Sequence, residues 1–142
     1  MNQPSPTSAS LVASPAARTA AGPRPPVRIA IVSAEWHRDI VEQSTEAIRA
    51  EFARAPEAAD PPDEFRVPGA FEIPLMVRRL AATGRYDGII ACALVVNGGI
   101  YRHEFVSSAV IDGLMRVQLD SDTPVFSAVL TPRDFHEHET HR

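Results

Sequence analysis

Apolar residues recur along this chain with two alternating periods. Val27 to Ser33 is a β-branched run of strand length, and Ile40, Val41, Ala47, Ile48 and Phe52 then follow at helical spacing. The stretch Ala55 to Asp63, with three prolines, breaks that helix. Phe65 to Val67 predicts a short second strand ahead of Pro68-Gly69. A second helix is predicted next, with Ile73, Met76, Val77 and Leu80 on one face and Arg78 and Arg79 off it. Pro74 is tolerated only in its first turn, and Gly84 ends it. Asp87 to Val96 is an almost unbroken apolar strand, the pattern of a strand covered on both faces. After Asn97-Gly98-Gly99 comes a helix carrying Val106, Ala109, Val110, Gly113, Leu114 and Val117, with Ile111 and Met115 on a second stripe. Val125 to Thr131 predicts the last strand, closed by Pro132.

The resulting order, β-α-β-α-β-α-β, predicts an α/β fold with a four-stranded parallel sheet and helices on its faces. Right-handed crossovers bring the carboxyl ends of the strands to one edge, where ligands of open α/β sheets bind. Trp36, Gly69 to Glu72, Gly98 to His103 and Pro132 to His136 should therefore share one rim. One apolar stripe on the third helix packs on the sheet, and the second suggests a subunit contact. A further helix would be expected beyond Arg142 to cover the last strand. Residues 27–142 form the expected domain. Met1 to Pro26 is rich in Ala, Ser and Pro, lacks acidic residues and reads as a disordered extension. Leu11-Val12-Ala13 is too short for a secretory core, and only Arg18 and Arg24 support a transit-peptide reading.

Composition narrows the chemistry. With 44% hydrophobic and 23% charged residues the chain is ordinary globular material, and a net charge of −4 provides no basic field for nucleic acid. No apolar run is long enough to cross a membrane. The only cysteine, Cys92, lies within an apolar strand and reads as buried packing in a reducing, cytoplasmic compartment. All 14 basic residues are arginine, so a lysine Schiff base on the enzyme is excluded and anion binding must use arginine or backbone N–H groups.

Several rim residues admit both a structural and a chemical reading. Trp36, the only tryptophan, either anchors a core or interface or stacks on a flat heteroaromatic ligand. Glu72 either caps the helix that Pro74 opens or helps hold a polyol. Gly98-Gly99 is either a plain turn or a phosphate cradle. Arg102-His103-Glu104 at a helix start could shuttle a proton through the histidine. His136, His138 and His141 cluster, but without the spacing of a zinc peptidase, and no functional metal is expected.

Three of these segments together resemble the lumazine synthases, from about Val27 to Arg142. They are VPGAFEIP at Val67 to Pro74, NGGIYRHEFV at Asn97 to Val106, and PVFSAVLTP at Pro124 to Pro132. The last two look like the second type of the family, found in some alphaproteobacteria. The resemblance implies a flavodoxin-like three-layer α/β/α sandwich, and active sites between neighbouring subunits of a pentamer, with pentamers paired into decamers. It implies condensation of 5-amino-6-(D-ribitylamino)uracil with 3,4-dihydroxy-2-butanone 4-phosphate, without metal or organic cofactor. The pyrimidine amine attacks the ketone to give an imine, phosphate is eliminated, and the second nitrogen closes the ring. Trp36 would stack on the pyrimidine, and Ala70, Phe71 and Glu72 would hold the ribityl chain. Leu94, Val95 and Val96 would line the pyrimidine edge, and Gly99 and Ile100 the butanone phosphate.

The sequence departs from that pattern at three places. Arg102 stands where typical members carry a proton-transferring histidine, with His103 one position later. Arginine cannot act as a base at neutral pH but can bind phosphate or an oxyanion, so Arg102 is expected to face the ligand and His103 to be secondary. Ser127 occupies a usually aromatic position, removing one wall contact. The family's phosphate-binding arginine or lysine has no counterpart before Arg142; either the sequence continues or affinity for the phosphate is lost. Two other readings follow: a flavin- or lumazine-binding protein with weak or no synthase activity, and a purely structural oligomer.

Overall fold

A computed structural model of the chain describes residues 24–96 and 102–132. The expected extension before Arg24, the Gly99 and Ile100 loop, the histidine cluster and the segment after Pro132 lie outside the described residues. Within them, the strands are β1 (Ile29–Ala34), β2 (Asp63–Val67), β3 (Gly88–Leu94) and β4 (Val125–Leu130). The helices are α1 (Arg38–Ala53), α2 (Ile73–Ala82), preceded by a 3-10 turn at Ala70–Glu72, and α3 (His103–Ser121). The strands pair in the order β2-β1-β3-β4, all parallel, as in a flavodoxin-like fold. Central β1 is buried along its whole length, which is why its sequence shows no polar alternation.

The alternation of side chains across each strand divides the core in two. On one face Ile31, Cys92, Leu94 and Val96 pack with Val41 of α1. On the other, Ala30, Val32, Ala91 and Val129 pack with Ile73 and Val77 of α2 and with Val110, Leu114 and Val117 of α3. The first apolar stripe of α3 thus faces the sheet as its spacing predicts. The second, with Ile111, Met115 and also Leu119, is exposed in the single chain. Phe126 and Leu130 of β4 are exposed as well.

Element boundaries differ from the sequence pattern for local reasons. Val27 stands outside β1 as an isolated parallel bridge to Ala59, whose flanking residues bond it through Ala58 O at 2.8 Å and Asp60 N at 2.9 Å. Strand β2 begins two residues before its first apolar position, because Glu64 is matched by a charged partner on α1, Arg49, instead of an apolar one. Helix α2 starts with Pro74 in its first turn and ends at Gly84, whose φ of 68° is the left-handed conformation glycine adopts without strain. Where α2 crosses α3, a Cβ on Gly113 would lie 3.1 Å from the Pro74 ring, so only glycine permits this approach without displacement.

Cys92 has no accessible surface, and burial pushes its thiol up to about 11 from an ordinary value of 9.0. The unfolded thiol ionises first as pH rises, so its contribution is intact below pH 9 and is lost on approaching pH 11. The expected loss is about 2–3 kcal/mol. Denaturant titrations between pH 8 and 11 should show a flatter alkaline limb for Cys92→Ala than for the wild type; parallel limbs would exclude this thiol as the cause.

Candidate active site

The carboxyl ends of β1, β2 and β3 build the rim from backbone outward. Beyond β1 the ladder continues for two residues, with Glu35 N donating to Val67 O at 2.8 Å and Trp36 N to Pro68 O at 3.2 Å. These bonds set Trp36 against the Pro68-Gly69 turn. Gly69 is extended, and its N–H donates to Glu72 Oε2 at 3.0 Å, while Glu72 N donates back to Gly69 O at 3.2 Å. A Cβ at Gly69 would sit 3.3 Å from that carboxylate oxygen and 4.0 Å from the Trp36 ring, so the turn is compact because position 69 is bare. The Glu72 carboxylate thus closes the 3-10 turn at Gly69, not the helix that Pro74 opens, for which Glu72 makes no side-chain capping bond. One carboxylate oxygen is engaged by the backbone, which fixes the side chain's direction.

Trp36, Ala70, Phe71, Glu72, Leu94 and Val95 line one cavity of about 340 Å³, joined by Pro68, Gly69 and Val106. Its floor, at Ala70, Leu94 and Val95, is buried, while Trp36 and Phe71 are 63% and 68% exposed at its mouth. That is the size and largely apolar character of a small-molecule site, with a carboxylate as its charged group. A larger depression of about 540 Å³ runs between α2 and α3, lined by Pro74, Arg78, Gly113 and Arg116. It lies away from the strand ends, where open parallel sheets bind ligands, and contains none of the rim residues.

Other singled-out residues fall outside the cavity lining. Val96 is fully buried and packs with Ile31 and Val41 toward α1. Ser127 is exposed midway along β4, opposite Ala91, with its Oγ accepting from Val129 N at 3.3 Å. Arg102 precedes α3, and its guanidinium lies over the exposed Phe105 ring at 5.5 Å. His103 Nδ1 is 3.2 Å from Glu104 Oε2. Both residues sit about one helical turn before Val106, which lines the cavity.

Val106 was legible only as a core-facing apolar position; its place immediately after the rim loop was the signal that could have marked it. A group of ion pairs beside Trp36 gave no such signal. Arg66 Nη2 donates to Glu42 Oε2 at 3.0 Å, and its Nη1 lies 3.8 Å from Glu35 Oε1. Arg49 donates to Glu42 at 2.9 Å and to Glu64 at 2.6 Å. The Arg49 hydrogen bond, aided by the nearby Arg66 charge, holds the Glu42 carboxyl below its usual range against some desolvation. Among the described residues no cluster of His, Cys, Asp or Glu could hold a metal ion, and no helix is long and apolar enough to cross a membrane.

The chain is similar to characterised families over most of its length. A family model described as 6,7-dimethyl-8-ribityllumazine synthase matches residues 26–142. A Rhodococcus erythropolis protein of that name is 60% identical over 114 residues, which cover 80% of this chain and 74% of the relative. The Pseudomonas syringae pv. tomato protein named 6,7-dimethyl-8-ribityllumazine synthase 2 is 54% identical over 118 residues, 83% of this chain and 69% of the relative. The protein of the same name from Bradyrhizobium diazoefficiens is 55% identical over 118 residues, again covering 82% and 69%. With a rim cavity at the expected strand ends and a match spanning nearly all of the chain beyond its first 25 residues, this protein belongs to the 6,7-dimethyl-8-ribityllumazine synthase family.

Proposed function

We infer that the chain is an enzyme of riboflavin biosynthesis, a transferase that condenses 5-amino-6-(D-ribitylamino)uracil with 3,4-dihydroxy-2-butanone 4-phosphate to form 6,7-dimethyl-8-ribityllumazine. The observation that carries this reading is the convergence of Trp36 and the Ala70–Glu72 turn on one cavity, in a chain of this family. Trp36 stacks on the pyrimidine ring, an indole face being suited to a flat heterocycle. Glu72, held by Gly69 N–H through one oxygen, presents its carboxylate to ribityl hydroxyls, alongside Ala70 and Phe71. Leu94 and Val95 border the ring, with the Val96 main chain beyond them. Gly99 and Ile100 receive the butanone phosphate, and Ser127 leaves space where a neighbouring wall would stand.

The substrate supplies the nucleophile, so the protein needs no lysine. The pyrimidine amine adds to the ketone carbonyl, water leaves as the imine forms, phosphate departs with its bonding electrons, and the second nitrogen closes the ring with loss of water. The protein holds the two reactants together, which lowers the entropic barrier. Arg102 stabilises phosphate or developing negative charge, and His103, oriented by Glu104, moves protons in a secondary role. No cofactor enters these steps.

Self-association completes the reading. The exposed apolar stripe of α3, with Ile111, Met115 and Leu119, is the face we assign to contacts within a pentamer, with decamers formed from two of these. A cytoplasmic location is consistent with an unpaired, buried Cys92.

A steady-state assay with both substrates, following lumazine absorbance, tests the proposal. Turnover well above the uncatalysed rate is expected; retained flavin or lumazine binding without turnover would instead mark a binding protein. Trp36→Ala should raise the KM for the pyrimidine about tenfold through lost stacking, with a smaller effect on the butanone phosphate KM. Equal effects on both would argue that Trp36 supports the fold and not the ring.

A further inference from the structure

The Trp36 turn is poorly fixed by packing. Trp36 is 63% exposed, and the residue after it, His37, has a φ of 57°, a left-handed conformation that L side chains adopt at a cost. Such a conformation persists only where surrounding contacts over-determine it. The main-chain bond from Trp36 N to Pro68 O restrains the backbone but not the indole.

The His37 carbonyl accepts from Ile40 N and Val41 N at 3.0 Å, and side-chain contacts that further restrain the turn come from strand β2. Arg66 reaches Glu42 Oε2 at 3.0 Å and Glu35 Oε1 at 3.8 Å. Glu35 directly precedes Trp36, and Glu42 lies just beyond the first turn of α1, so one guanidinium grips both ends of the segment that carries the indole. Arg49 completes the frame by bridging Glu42 to Glu64, Arg66's near neighbour on the same strand. The competing pair, Arg38 with Glu35 at 3.8 Å, is more exposed and spans only one end.

We propose that Arg66 is a positioning residue for substrate binding: by holding Glu35 and Glu42 it fixes the backbone on both sides of Trp36, from which the indole projects, and thereby sets affinity for the pyrimidine. The inference rests on the assignment of Trp36 as the stacking residue. It concerns neither proton transfer nor phosphate departure, so its effect falls on KM for one substrate.

The sole tryptophan makes the test direct. Arg66→Met keeps the aliphatic stem and removes the charge. In the full chain, its acrylamide quenching constant without ligand should increase. The KM for 5-amino-6-(D-ribitylamino)uracil should rise about two- to fivefold, as expected for part-exposed ion pairs, with kcat changed less. Arg66→Lys, able to engage one carboxylate at a time, should fall between wild type and Arg66→Met. Unchanged quenching overturns the proposal, and so does a lower melting temperature with unchanged pyrimidine KM. Trp36→Ala measured in parallel separates the two ideas. If it also leaves that KM unchanged, the stacking assignment fails. If it raises KM while Arg66→Met does not, only the positioning role fails.

Discussion

Arg102→Ala should lower kcat/KM for both substrates by about 10²-fold, the usual consequence of removing a donor that stabilises developing negative charge. The residue stands at the start of α3, where the free N–H groups of the helix already favour an anion, and about one turn before Val106 in the cavity wall. Its guanidinium lies over the exposed Phe105 ring, a contact too weak and too superficial for its loss to unfold the chain. Stability should therefore be nearly unchanged while activity falls. Arg102→Lys should recover only part of the rate, because an ammonium cannot reproduce the planar, bidentate grip on phosphate. If kcat/KM survives the alanine substitution, Arg102 serves only to stack on Phe105, and the chemical role passes to His103. That alternative has its own signature: His103→Gln would then lower kcat while Arg102→Ala leaves it unchanged.

The second large effect is structural. Ile73 has no accessible surface, opens helix α2 and directly follows Glu72, so it anchors the turn that forms one side of the cavity. Ile73→Ala removes its contacts with the core between sheet and helices and leaves a cavity, a change that costs about 3 kcal/mol. Urea unfolding should show a lower midpoint with the same slope. Because Glu72 moves with the helix start, pyrimidine affinity should also fall at temperatures where the protein remains folded. A loss of stability with wild-type KM would mean that the turn is held by the Gly69–Glu72 bond alone.

How much of this could be read from the sequence depended on whether a residue acts through local spacing or through distant partners. The order of strands and helices, the Pro74 start, the Gly84 stop and the outward second stripe of α3 follow from periods and turn chemistry within a few residues. The grouping of Trp36 with Ala70–Glu72 follows from a parallel sheet bringing strand ends to one edge, whereas Leu94 and Val95 were indicated only by the family resemblance. Side-chain direction at those ends was less accessible. Val96 turns into the α1 side of the core, and Ser127 lies partway along β4, because strand register, set by pairing with distant residues, decides which face a side chain meets. The Arg66 frame was hidden for the same reason. Its carboxylates lie on other elements, and no short motif links a strand arginine to acids flanking a helix start.

The contact between Gly113 and Pro74 bears on the cavity from a distance. Pro74 is two residues after Glu72 on one wall, and Gly113 is about 10 Å along α3 from Val106 on the other. The two helices meet there with only the Pro74 ring between them, so that point acts as the pivot of a pair of callipers whose jaws are Glu72 and Val106. The gap between the jaws therefore depends on how closely two helices pack at a residue outside the cavity lining.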